Sequence, residues 1–161
     1  KDILSEKGAW DAMFWMGGLV ALATALAKSG FIAWIAKLIG TAVAAANMGW
    51  IASFVLISLI YIYSHYCFAS VTARISAMYA AFVAVAAACG VPAMLVAITF
   101  GCFANLPISL THYGNGCGPV YFGAGYVSQG EWWRNGFIIT TINVVIWLTI
   151  GMAWWKFIGL Y

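Results

Sequence analysis

The sequence predicts an all-α integral membrane protein in which a re-entrant helical hairpin and a broken transmembrane helix accompany ordinary spans. Three observations carry this. Of 161 residues, 65% are hydrophobic and 7% charged, against about 25% charged in an ordinary soluble domain. None of the seven basic and four acidic side chains falls between Arg74 and Glu131. The apolar stretches are interrupted twice by polar or glycine-rich runs, at 64–74 and 111–119. So few charges cannot cover the apolar surface against water, so the bilayer is the solvent.

Residues 1–48 read as a transmembrane helix plus an interfacial linker helix. Trp10 to Lys28 has the length and apolarity of a span, with Trp10 and Lys28 as interfacial anchors. Gly30 breaks it. Phe31 to Ala46 is shorter and holds Lys37 among Ile and Trp side chains, which suits a helix lying along the membrane. A tilted span is the alternative. Gly17-Gly18 suggests close helix packing. Residues 49–91 read as the re-entrant hairpin. Trp50 to Tyr63 is strongly apolar, Ser64 to Arg74 is polar, and a second apolar helix runs from Ile75 to Cys89 before Gly90-Val91-Pro92. Its arms look too short and too close to be spans joined by an aqueous loop.

Residues 92–130 read as the broken helix. Ala93 to Leu110 is apolar but carries Asn105 and Pro107, then dissolves into Thr111-His112-Tyr113-Gly114-Asn115-Gly116-Cys117-Gly118-Pro119. Val120 to Val127 is too short to span. Residues 131–161 read as the last transmembrane helix: an amphipathic turn over 130–134, then a span from Phe137 to Trp155 closed by Lys156. Non-helical backbone at membrane depth survives only where protein or a water-filled cavity satisfies its polar groups. Hairpins and broken helices of this kind build midplane sites, because half-helix N-termini point positive dipole ends at anions.

Composition also excludes. A net charge of +3 without a Lys/Arg cluster gives no nucleic-acid grip. Cys67, Cys89, Cys102 and Cys117 stand singly, without metal-ligand spacing, and read as small apolar residues. No Ser/His/acid arrangement suggests an enzyme. Asp2, Glu6, Asp11 and Glu131 lie near expected membrane edges, away from the polar runs. His65 and His112, the only histidines, could jointly hold a haem, but both border breaks in helical order, where haem ligands are unusual. His65 reads as a hydrogen-bonded core residue and His112 as the better site candidate. The chain begins at Lys1 without a cleavable signal pattern and looks like a piece of something longer.

Two clusters could bind a ligand. Ser70-Val71-Thr72 is either a helix cap or, with the first-turn N–H groups, an anion pocket. Arg74 tilts the balance. A cation in a first helical turn opposes the macrodipole and is costly in the membrane, so it either snorkels to a headgroup or faces a ligand or cavity. Its fork of donors matches a carboxylate. The second cluster is Thr111 to Pro119, whose alternate glycines let N–H groups approach a ligand closely. An ordinary loop is the plain alternative.

The stretch FASVTARISAMYAAF, the later GNGCGPVYFGAGYV, the WW-R-GF run and the W-D-x-x-x-W-x-G-G-L pattern at 10–19 resemble the C-terminal half of the divalent anion:sodium symporter family. Within it, the likeness is to 2-oxoglutarate/malate translocators and citrate/succinate-type antiporters. The resemblance implies one inverted-repeat half of an elevator-type secondary transporter, an inner (plasma) membrane setting, a homodimer and a missing N-terminal half. It implies a carboxylate substrate-binding set of Ser70, Val71, Thr72, Arg74, Thr111, His112, Gly114, Asn115, Gly116, Gly118 and Pro119. Two departures matter. Val71 replaces the Asn of the family's Ser-Asn-Thr signature, and the glycine run replaces its Thr-Pro-type loop. Loss of the Asn oxygen weakens a Na⁺ site, while Arg74 and His112 supply fixed positive charge. The expectation is therefore di- or tricarboxylate exchange with no cofactor. Na⁺- or H⁺-coupled symport is the alternative, and a haem-bearing or structural subunit a remote one.

Overall fold

Each helix ends where the chain supplies a reason to stop. The computed structural model describes residues 7–161, apart from the side chains at 7–9, 11–12, 15–16, 19–20, 23, 27 and 44. The expectations for Asp2, Glu6 and the Asp11 side chain lie outside the described residues. Among the described residues all regular structure is helical.

Helix α1 (Lys7–Lys28) stops at Gly30, whose φ of 76° is a left-handed turn open to glycine. Helix α2 (Phe31–Ala45) follows at once. Its Ile32, Ala36 and Val43 recur at helical spacing, are buried, and lie on a helix packed against α4 (Val71–Ala88). At the crossing, a Cβ on Gly40 would sit 3.0 Å from Val85. Lys37 is exposed. Close packing at Gly17-Gly18 is not found: among the described residues nothing lies within 4 Å of a Cβ placed there. The small-residue crossing is Gly40 instead.

Helix α3 (Trp50–Tyr63) runs into a 3₁₀ turn, Ser64–Cys67, and α4 then packs back on α3. Helix α4 starts at Val71 rather than at Ile75, because Ser70 caps it: its hydroxyl accepts from Ala73 N–H at 3.4 Å. Gly90, at φ 81°, and Pro92 end it. Helix α5 (Ala93–Phe103) stops short of Leu110, since Pro107 cannot donate to a helical ladder and 106–109 tighten to a 3₁₀ turn. Helix α6 (Gly118–Gly123) begins with Pro119 in its first turn.

Helix α7 (Gln129–Ile146) absorbs the segment 130–134 expected to be a separate amphipathic turn. The cause is a capping box. Ser128 Oγ accepts from Glu131 N–H, and the Glu131 carboxylate accepts from Ser128 N–H at 2.8 Å. A π-helical stretch, Trp147–Gly151, leads on to α8 (Met152–Phe157).

Three stretches, Trp50–Cys67, Val71–Ala88 and Gln129–Phe157, are long and apolar enough to cross a membrane. The hairpin arms are thus not too short for spans, which removes length as an argument for re-entry. The core lies where α3, α4 and α5 meet. Phe54, Tyr61, Phe82, Phe100 and Phe103 are essentially sealed there, with Tyr61 and Phe100 stacked at 4.6 Å. Lipid gives no hydrophobic drive between helices, so such contacts hold by van der Waals fit and buried hydrogen bonds. Small residues matter accordingly. Gly136 on α7 lies so close to the Ser109 carbonyl that a Cβ there would overlap it.

Candidate functional site

The two interruptions foreseen in the sequence meet in space at two points just before the hairpin tip. Before the tip, His65 lies against Gly114, and the Tyr66 carbonyl accepts from Tyr113 Oη at 2.9 Å. After the tip, Arg74 reaches the end of α5.

Arg74 is completely buried. One terminal nitrogen donates to the Tyr61 carbonyl at 2.9 Å, and the other to those of Phe103 at 3.2 Å and Ala104 at 2.6 Å. The guanidinium carbon lies 4.7 Å from the Tyr61 ring centroid. These carbonyls stand in the last turns of α3 and α5, which leave acceptors unsatisfied and present negative dipole ends. Two favourable C-termini thus offset the unfavourable N-terminus on which Arg74 sits. The side chain is neither snorkelled to a headgroup nor turned into an open cavity; only Nε is left without a partner.

Around the tip, Ser70 Oγ is engaged as the cap, Val71 is half-buried and Thr72 is exposed. In the loop, Asn115 acts as an organiser. Its Oδ1 accepts from Cys117 N–H at 2.8 Å and Gly118 N–H at 2.7 Å, and its Nδ2 donates to the Ile108 carbonyl at 3.3 Å. Gly118 has to be glycine, since a Cβ would overlap the His112 carbonyl. Gly116 is exposed, Gly114 buried and Pro119 half-buried.

His112 stacks on Phe122 at 4.3 Å and its Nδ1 accepts from Trp133 Nε1 at 3.3 Å. In the neutral ring that places the proton on Nε2, a donor suited to an anion. Tyr113, Phe122 and Trp133 stand against it, with Tyr66 on Trp133 and Trp132 on Phe122, so the 3₁₀ turn, the loop, α6 and α7 converge on one aromatic shelf. Thr111 is fully buried with an unpartnered Oγ1. His65 is buried as expected, and its ring faces the Gly114 backbone without full hydrogen-bond geometry.

The structure therefore brings Thr111 and Gly114 to His65, and Tyr113 to Tyr66, just before the tip, while Asn115 and Gly118 hold the loop in shape; Arg74 is drawn instead to the ends of α3 and α5, and His112 to Phe122 and Trp133. Sequence reasoning missed His65, Tyr66 and Trp133. One signal was available: His-Tyr occurs twice, at 65–66 and 112–113, and the two pairs are the ones that meet.

The whole chain, residues 1–161, matches the family model described as sodium:sulfate symporter transmembrane region. It is 45% identical to Dicarboxylate transporter 1, chloroplastic, of Spinacia oleracea, over 100% of this chain and 28% of that protein. It is 43% identical to the Arabidopsis thaliana protein of the same name, over 100% of this chain and 29% of that protein. To Inner membrane protein YbhI of Escherichia coli K12 it is 35% identical, over 97% of this chain and 32% of that protein. The chain thus spans less than a third of the length of these relatives. A full-length family match on an all-helical chain with three membrane-length apolar stretches is decisive: the chain belongs to the sodium:sulfate symporter transmembrane-region family, the divalent anion:sodium symporters.

Proposed function

We propose that the transporter carrying this sequence exchanges dicarboxylate anions across a membrane, with the hairpin tip and the glycine loop holding one carboxylate end. The observation that supports it best is Arg74, fully buried, with three hydrogen bonds that all end on backbone carbonyls. Carbonyl dipoles solvate the guanidinium but leave its unit charge in place. Moving an empty site through the bilayer then carries an uncompensated charge, which is costly. One carboxylate end of a bound dianion balances that charge and the other falls to the completing half of the site, so the carrier returns loaded. His112, with its proton on Nε2, adds a neutral donor on the same side.

Dicarboxylates are the substrate class named for the spinach and Arabidopsis relatives. The family description favours a second reading, Na⁺-coupled symport. Against it stand Val71 at the tip and an Asn115 carbonyl oxygen already occupied by two N–H groups. The site is completed by a second half outside these residues, and the assembly is a homodimer. The setting we propose is a bacterial inner membrane, as in the name of the E. coli relative.

The test is counterflow in liposomes holding the full-length transporter. Labelled malate is supplied outside vesicles loaded with 2-oxoglutarate, malate, citrate or nothing, with and without Na⁺. Exchange predicts uptake only into loaded vesicles, unaffected by Na⁺. Uptake into empty vesicles that requires Na⁺ establishes symport instead.

A further inference from the structure

His65 has no part in the transport scheme above, yet it is a fully buried imidazole pressed against the glycine loop. The imidazole is 0% exposed, and the polar group it faces is the Gly114 backbone, without full hydrogen-bond geometry. Thr111 is also 0% exposed, with Oγ1 unpartnered. Both groups crowd the same glycine: a Cβ on Gly114 would stand 2.5 Å from His65 Nε2 and 2.9 Å from Thr111 Oγ1. Gly114 does not have positive φ, so space rather than backbone conformation demands glycine. Buried polar groups without partners are rare and call for an explanation. A neutral imidazole and a hydroxyl each carry a donor and an acceptor, so these two are chemically complementary.

We infer that His65 is a positioning residue of the carboxylate site, acting through Gly114 and Thr111. The edge of its ring sets how far the glycine loop stands from the hairpin. The His65–Thr111 hydrogen bond forms when the loop draws in around a bound carboxylate, so loop position and ligand occupancy are coupled. The inference rests on the reading of this loop as the carboxylate site; His65 itself touches no ligand.

The test uses the full-length transporter in liposomes, with malate exchange measured for His65→Ala, His65→Gln, Gly114→Ala and the Gly114→Ala/His65→Ala pair. Gly114→Ala pushes the loop off the ring and raises KM about tenfold with kcat little changed. His65→Ala raises KM as well, while His65→Gln, which restores a nitrogen near the Nε2 position, brings it back towards wild type. In the double variant the ring is gone and the added methyl has room, so KM returns to that of His65→Ala alone. Multiplying losses in the double variant overturn the proposal. So does a His65→Ala protein with lowered melting temperature but unchanged KM. If the unmodified transporter exchanges no dicarboxylate, the functional reading falls by itself. The interlock is then decided by melting temperature: it stands if His65→Ala restores stability lost in Gly114→Ala, and falls if the losses add.

Discussion

Arg74 shows how one side chain can be costly by position and indispensable by partnership. It stands in the first turn of α4, where the helix dipole repels it, inside an apolar core. Three carbonyls from two other helix ends repay that. Arg74→Met keeps much of the volume but strands the Phe103 and Ala104 acceptors, at about 1–3 kcal/mol for each one left unsatisfied, while the Tyr61 carbonyl keeps its bond from Ser64 Oγ. Arg74→Lys keeps the charge but loses the planar fork that spans two helices. The expected order of melting temperature in detergent is wild type, then Lys, then Met; a Met variant as stable as wild type would show that the carbonyl contacts do not hold the hairpin. Asn115 makes the complementary case. Its three hydrogen bonds shape the loop, so Asn115→Ala loosens 115–118 and raises KM for malate in the exchange assay.

At the scale of elements, starts and stops decide what the chain can build. Helix α7 begins at Gln129 because Ser128 and Glu131 satisfy each other's backbone groups. Ser128→Ala removes that cap and is expected to cost about 1 kcal/mol, read as faster amide exchange over the first turn of α7 with 140–146 unaffected. Uniform exchange across the helix would contradict the capping assignment. The Ser-x-x-Glu signature was present in the sequence, but the aromatic pair Trp132-Trp133 made the segment read as a membrane-edge turn. Other boundaries were fully legible. Trp50 and Tyr63 bound α3 as expected, because an unbroken apolar run leaves one periodicity and one polar stop. The early start of α4 was legible only in part: the apolar run begins at Ile75, but Ser70-Val71-Thr72 also read as a helix cap, and Ser70 is the cap. The site divides in the same way. The two non-helical runs could be read as a pair from composition, but the His65–Gly114 contact joins residues far apart in the chain and leaves no local pattern.

For the whole molecule, the proposed function makes this chain one half of a carboxylate site. Cys117 is exposed in the glycine loop and Cys67 beside the hairpin tip, whereas Cys89 and Cys102 are partly buried elsewhere; all four are free thiols. If loop and tip hold one carboxylate end, the substrate and the completing half must together shield Cys117. In a full-length transporter keeping Cys117 as its single cysteine, maleimide labelling is expected to slow about tenfold at malate tenfold above its Kd, since only the unoccupied fraction reacts. Acetate, with one carboxylate, should protect far less at equal concentration, because it carries half the charge of malate and cannot reach across to the other half. A single-cysteine protein carrying Cys89, at the far end of α4, is the control and should label at the same rate with or without malate. Equal protection of both positions would mean that malate closes the protein as a whole and says nothing of the loop. Protection of neither would place the carboxylate away from the residues that the two breaks in helical order bring together.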